Sequence, residues 1–510
     1  MATLRRRAAA TLMSAALLAG ALTACASDST EPEVPTLTIA FDSDSAALGY
    51  DPLKYSSNQR QFYEGLYDSL ATLAPDGSVA PGLARKFEYN DDNTVLVMTL
   101  LAGVDFTDGS TLNAQLVKRN LDRRSDPALS AYALFAPGGA AEIASVDVID
   151  DTQLAVTFVN PQPGAEINFV GIPGMIVGKD AIDDPSILDT RPVGSGPYTL
   201  DASTAKGSSY VFTRNPEHRN ADDYAYDRVI TKPILEPSAR INAVITGQAD
   251  AGYVLTSLAW LAESKSMGIS QVGGTVTSIL VFDKSGATSA PFADERVRIA
   301  LGLAIDREKF VEGVHPGELP AVNALPSANP GFSAQLDADY GYDPDRARQL
   351  LADAGYPDGF EFTVVSTDAS ATDLQALQRY FAEVGVTMNV QPASSTEQAF
   401  GAVQTTPLGY LPLNWGNPAG TMFGVILGFA NPHGTVNPEL VAATQAVAGA
   451  VDDQSRASAL EALNIELVSS GWVIPVYEQL TTWVYGDGVA PVVFPTGGDL
   501  PLLSSFTPAS

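Results

Sequence analysis

The chain of 510 residues carries 59 aspartates and glutamates against 29 lysines and arginines, a formal net charge of −30 at pH 7. That acidity repels phosphate and argues against nucleic acid as a partner; it reads as a solvated surface rather than as a site for a cationic ligand. A single cysteine excludes an intramolecular disulfide, so the fold must rest on a hydrophobic core, which a chain of this size can bury in one or more domains.

In chain order, Arg5, Arg6 and Arg7 precede a small, apolar stretch over residues 8–21. It is too short to span a bilayer and has the flanks of a secretory signal. Leu22-Thr23-Ala24-Cys25 follows and resembles a bacterial lipobox. The resemblance implies that residues 1–24 are cleaved, that the Cys25 thiol receives a diacylglycerol, and that the protein is held on the outer face of the cell membrane by lipid. Residues 25–35 then have the polar, proline-containing composition of a tether.

Beyond the tether, turn signals and periodic segments alternate as in an α/β protein. Residues 37–41 (LTIAF) predict a buried strand, and residues 94–101 (TVLVMTLL) another, launched by Asp91-Asp92-Asn93. Asn113 caps a helix bearing Leu116, Val117 and Leu121. Pro237-Ser238 opens a helix that Gly247 stops. In residues 343–357, Asp343 caps, Pro344 sits in the first turn, Gly355 ends the helix and Pro357 prevents continuation. A strand at 360–365, a helix at 373–383 and a strand at 387–390 predict a parallel β-α-β unit.

Nothing along the chain argues for an enzyme. His218, His315 and His433 are far apart in sequence, and no pair has metal-ligand spacing. Gly194-Ser195-Gly196 is too short for a nucleophile elbow, and Pro197 disfavours the helix that should follow. No phosphate-binding loop or dinucleotide fingerprint is present. A surface hydrolase with a carboxylate dyad stays open as an alternative class, because such a dyad has no local spacing. No cofactor and no metal are expected.

Several segments in order resemble the family 5 extracellular solute-binding proteins of ABC importers, the peptide-, nickel- and oligosaccharide-type receptors. They are Leu66-Tyr67-Asp68-Ser69-Leu70, Pro75-Asp76-Gly77, Pro81-Gly82-Leu83-Ala84 and Gly103-Val104-Asp105-Phe106-Thr107-Asp108-Gly109. Then come Gly194-Ser195-Gly196-Pro197-Tyr198, Asn215-Pro216, Ile245-Thr246-Gly247-Gln248-Ala249-Asp250, and Asp294-Glu295-Arg296-Val297-Arg298-Ile299-Ala300 through Ala304-Ile305-Asp306-Arg307. Each also has a packing role: Asp294 caps a helix, and the glycines at 194 and 196 are expected to supply positive φ in a tight turn.

The resemblance implies an α/β, two-lobed clamp of the periplasmic-binding-protein type. Lobe I would comprise residues 36–68, 196–275 and 485–510, with an inserted subdomain at 69–195; lobe II would span 276–484. A soluble ligand would bind between the lobes and favour the closed form, which an ABC permease recognises. The protein is expected to be a monomer, with the permease, the ligand and, through Cys25, the membrane as partners.

Ligand contacts are expected where the family places its cleft. Leu413-Asn414-Trp415-Gly416-Asn417-Pro418 resembles the segment with the family's tryptophan and aspartate, but no acid occurs in residues 410–438. The free amine of a peptide would lack its usual counter-ion there, and a buried unpaired ammonium is costly. Trp415 can stack on flat apolar surfaces, and Asn414 and Asn417 can give and accept hydrogen bonds. Tyr50, Tyr253 and Tyr477, with Thr277 and Ser278 just ahead of a predicted strand at 279–282, complete the candidate set. Oligopeptide is the leading ligand; an oligosaccharide or other uncharged ligand, and a sensory rather than transport role, remain open.

Overall fold

The computed structural model describes residues 34–509 except 56–58, 75–77, 138, 140, 417, 451 and 496–499. The lipobox with Cys25, the Pro75-Asp76-Gly77 motif and Asn417 therefore lie outside the described residues.

Strand β1 (Thr36–Phe41) is the expected first strand, and Leu37, Ile39 and Ala40 on both of its faces are buried. Such two-sided apolarity suits a strand with parallel neighbours covered on both faces. The hairpin β2 (Ala71–Leu73) and β3 (Val79–Pro81) is followed by β4 (Ala84–Tyr89), β5 (Val95–Leu100), β6 (Ile143–Asp150) and β7 (Gln153–Phe158). These last four form an antiparallel sheet in the order β4-β5-β7-β6. The turn that launches β5 places Asn93 at φ 56°, a conformation that asparagine tolerates better than most residues. Asn113 caps the helix Ala114–Asp122, accepting from the Leu116 N–H at 2.8 Å.

The main sheet is built from β1 with β8 (Tyr198–Leu200), β9 (Tyr210–Arg214), β10 (Arg228–Pro233), β11 (Ala251–Val254), β12 (Gly268–Val281), β13 (Leu319–Pro320), β16 (Leu408–Asn414) and β17 (Val473–Tyr485). Its order is β16-β12-β17-β11-β1-β10-β9-β8, with β13 also paired to β17. The expected β-α-β unit is present as β14 (Phe360–Ser366), the helix Ala371–Glu383 and β15 (Val386–Pro392), with the two strands parallel in register from Phe360↔Val386.

Strands β12 and β17, of 14 and 13 residues, run antiparallel from Gly268↔Tyr485 to Leu280↔Val473. At one end their side chains join cores that include Phe41, Tyr63, Trp483 and Val484. At the other end they join cores that include Ile279, Phe310, Leu280 and Trp472. Two separately packed bodies linked by two long strands are the architecture of a two-lobed clamp.

Two local expectations are corrected. Gly194 and Gly196 are not at positive φ. They are glycines because the chain presses against another backbone: a Cβ at 194 would lie 2.0 Å from the Leu66 carbonyl oxygen, and one at 196 would lie 2.4 Å from the Leu66 carbonyl carbon. Thr277 and Ser278, expected just ahead of a strand, lie inside β12, because pairing with β17 extends that strand back to Gly268.

Candidate ligand-binding site

Antiparallel pairing puts alternate residues of neighbouring strands on one face. Here Thr277 pairs with both Tyr477 and Pro412, and Thr275 pairs with both Gln479 and Asn414. One face of β16-β12-β17 therefore presents Asn414, Thr275, Thr277, Tyr477 and Gln479 together, where the two long strands leave the second body. Gln479 ties this face into a network: its Nε2 donates to Thr277 Oγ1 at 3.1 Å and to the Tyr477 hydroxyl oxygen at 3.2 Å. Burial raises the Tyr477 hydroxyl above its ordinary value, so it stays a neutral donor and acceptor.

His315 covers the Tyr477 end of this face. It follows the helix Arg307–Val314 and lies on the Tyr477 ring, with centroids 4.1 Å apart and planes 18° from parallel. Its Nε2 is 2.9 Å from both carboxylate oxygens of Asp373, in the first turn of the helix Ala371–Glu383. The Tyr410 hydroxyl of β16 donates to Asp373 Oδ2 at 2.8 Å. Burial, and then the Asp373 charge, push that hydroxyl far above the ordinary tyrosine range. The order of contact is therefore Tyr410, Asp373, His315, Tyr477, Gln479 and Thr277.

The chain leaves His315 through a tight turn, His315-Pro316-Gly317-Glu318. Glu318 N donates to His315 O at 3.1 Å and Gly317 has φ 97°, with proline and glycine at the positions that a type II turn favours. Glu318 then accepts from the Leu480 N–H at 2.5 Å, while Thr256 Oγ1 donates to Leu480 O at 3.0 Å. Leu480 lies on β17 between the residues paired to β13 and those paired to β11. Its two backbone groups are thus held by one side chain from each body. Burial raises the Glu318 carboxyl, the backbone N–H opposes that rise, and Tyr253 of β11 lies within electrostatic reach.

On the opposite face Glu478 is buried, with a relative exposure of 3%. Its Oε2 accepts from Ser327 N at 2.9 Å, and its Oε1 has no hydrogen-bond partner among the described residues. It folds over Gly273, where a Cβ would lie 1.5 Å from Oε1. Burial raises this carboxyl as well.

Of the residues expected from sequence, the fold brings Asn414, Thr277 and Tyr477 onto one face. Asn414 is exposed and its Oδ1 accepts from Gly416 N at 2.8 Å. Tyr253 is half-buried on β11 under the Arg240 guanidinium, 5.9 Å from its ring centre. Ser278 is fully buried and donates to Val276 O at 3.3 Å. Tyr50 is packed inside the first body, edge-on to Tyr210 at 6.5 Å. Trp415 is 2% exposed within a core that includes Leu413, Met422 and Ile426, and its indole N–H has no partner among the described residues. Sequence reasoning missed His315, Asp373, Thr275, Gln479 and Glu318. Only Gln479 and Thr275 carried a local signal, each two residues along its strand from an expected contact. Among the described residues no group of three His, Cys, Asp or Glu side chains is placed to hold a metal ion.

Residues 78–437 match the model of the bacterial extracellular solute-binding proteins, family 5, middle region. The glutathione-binding protein GsiB of Salmonella typhimurium is 29% identical over 358 residues, covering 67% of this chain and 65% of that protein. GsiB of Escherichia coli O1:K1 gives the same shares over 363 residues at 29% identity. The match thus spans 65% of the length of these curated relatives, a little under two thirds. Among solved structures, HbpA2 from Haemophilus parasuis superposes with a TM-score of 0.79 at 20% identity, covering 93% of this chain and all of that one. The periplasmic murein tripeptide-binding protein MppA, in its unliganded open form, gives 0.76 at 19% identity, covering 93% of this chain and 98% of that one. At these identities the likeness to the two structures is one of fold.

Proposed function

The chain belongs to the bacterial extracellular solute-binding proteins of family 5, and from that premise we propose that it is an extracytoplasmic receptor that closes its two bodies on a soluble ligand and delivers it to an ABC permease. The observation that carries the reading is the polar face on β12, β16 and β17. It stands where the strands joining the bodies emerge, so a ligand held there touches the element that must bend on closure. Such a ligand shifts the open–closed equilibrium only by the contacts it gains in the closed form. Thr277, Tyr477 and Asn414 are its contacts in this reading, with Gln479 beside them and Tyr253 on β11 of the other body; Asn417 follows Asn414 by three positions in sequence.

The ligand class we favour is a short peptide. The relatives' names support it: GsiB is called glutathione-binding and MppA murein tripeptide-binding. An oligosaccharide is the second choice, since hydroxyls and amides on a sheet face also suit a neutral, hydroxyl-rich ligand. We further propose that lipid on Cys25 holds the receptor at the membrane. The lipobox in the sequence supports this, and no helix of the described residues is long and apolar enough to cross a membrane. Cys25→Ser should then release the protein from salt-washed membranes; retention there would end the anchor reading.

A thermal-shift screen against glutathione, tripeptides, oligosaccharides and metal chelates tests the receptor reading. A ligand at a hundredfold over its Kd stabilises by about 2.7 kcal/mol. Gln479→Ala should weaken the hit by about 1 kcal/mol, the net value of a typical hydrogen bond. Unchanged affinity in both Gln479→Ala and Thr277→Val would move the ligand away from this face.

A further inference from the structure

His315 is held more firmly than a partly exposed imidazole needs to be. Its side chain is 27% exposed, yet one nitrogen is fixed by a carboxylate that is itself 5% exposed, and its ring is stacked on Tyr477. Asp373 is in turn held by the Tyr410 hydroxyl. Because both Asp373 oxygens of the ionised carboxylate are acceptors, Nε2 must carry the proton. In the neutral ring Nδ1 is then an acceptor, and no described residue donates to it. A carboxylate that fixes one histidine nitrogen so as to define the role of the other is the arrangement that orients imidazoles toward ligands and metals.

Charge around this nitrogen is negative. The ionisable groups facing His315 are Asp373 from the helix Ala371–Glu383, Tyr410 from β16, Tyr477 from β17 and Glu318 from its own turn. None of them is a cation, and no cation among the described residues pairs with Glu318. An anionic ligand group would be repelled here, whereas a protonated amine would gain both a hydrogen-bond acceptor and a favourable field.

We propose that His315 is a specificity-determining contact whose Nδ1, oriented by Asp373, accepts a hydrogen bond from a primary amine of the ligand. This inference rests on the reading of the hinge face as the ligand-binding face, and it relocates recognition of an amine from the acid-free segment 410–438 to the His315-Pro316-Gly317-Glu318 turn. Asp373 is a positioning residue in this account and does not touch the ligand.

The test uses the full-length protein, with reduced glutathione and trialanine as probes, each beside its N-acetyl counterpart. The free-amine forms should bind, and acetylation should weaken binding about tenfold, the scale of one lost hydrogen bond to a charged group. His315→Ala should cost the free-amine probes a similar factor and abolish their advantage over the acetylated forms. His315→Gln, whose carbonyl oxygen can still accept, should keep part of it. Asp373→Asn, which loosens the hold on Nε2, should shrink the advantage of the free-amine probes over the acetylated ones without removing the ring.

Equal binding of free and acetylated probes overturns the inference. So does unchanged affinity in His315→Ala while Gln479→Ala is impaired, and in that case the hinge-face reading survives. Unchanged affinity in both variants overturns the hinge-face reading together with the inference. Failure of both free-amine probes to bind at millimolar concentration also overturns it. The melting temperature of each ligand-free variant separates loss of contact from loss of fold.

Discussion

Ser195 donates its hydroxyl to Asp68 Oδ2 at 2.8 Å, across 127 positions of sequence. The same carboxylate accepts a forked pair from Arg219 at 2.7 and 2.8 Å and lies 3.3 Å from His218 Nε2. Burial alone would raise Asp68, but the hydrogen bonds from His218 and Arg219 hold it below the ordinary carboxylate value. Asp68→Asn should therefore destabilise the protein by about 3–5 kcal/mol, because Arg219 keeps its charge and loses its partner. Since the native pKa is depressed, this stabilisation is present above the unfolded value near 4 and is lost as pH falls through the lower native value. Urea unfolding across that range checks both points; a loss under about 1 kcal/mol would reduce the network to a surface-grade pair.

Glu478 works in the opposite sense. Its raised native pKa means that the folded state binds the proton more tightly, so its contribution is full below the unfolded value and fades as pH rises through the raised one. Glu478→Gln keeps an acceptor for Ser327 and removes the charge. Its melting temperature should gain on wild type as pH moves from acid toward neutral, and a constant difference would show that Glu478 does not titrate in that window.

Lys284 is a cation in a core. Its Nζ donates to Ala430 O at 2.5 Å and stands 4.3 Å over the Trp472 ring, and burial pushes it down from 10.5 to about 7. Between those values the unfolded chain binds more protons, so wild-type stability should rise with pH through that window. Lys284→Met should be more stable than wild type near neutrality, with the gap closing toward alkaline pH. Parallel stability curves for the two proteins would contradict this.

Trp415→Ala should cost about 3–5 kcal/mol in the ligand-free protein, the usual penalty for emptying an aromatic site in a core. Calorimetry without ligand makes the measurement. A variant that melts normally but binds poorly would instead make the indole a ligand contact, as its place in the sequence suggests.

Much of the scaffold was legible because its signals are local. Asp343 accepts from Arg346 N at 2.9 Å and Gly355 sits at φ 94°, as cap and stop residues should. The Leu66–Leu70 and Gly194–Tyr198 motifs could be recognised in sequence. Their purpose could not: the glycines make room for the Leu66 backbone, and Ser195 meets Asp68 only after folding. The site was less legible still. Thr277, Tyr477 and Asn414 are each legible as candidates, and nothing in the sequence states that they share a sheet face with Gln479.

The sequence by itself determined the family, local elements such as β1, β5 and the β14-helix-β15 unit, the excess of acidic residues and the single cysteine, all of which reside in composition or in neighbouring residues. The tertiary structure alone decided that Trp415 packs inside a core, that Glu478 folds over Gly273, and that His315 meets Asp373 from 58 positions away. The reason is the pairing of β12 with β17 and β16: strand register fixes which side chains face one another, and register is set between strands that lie far apart in the chain.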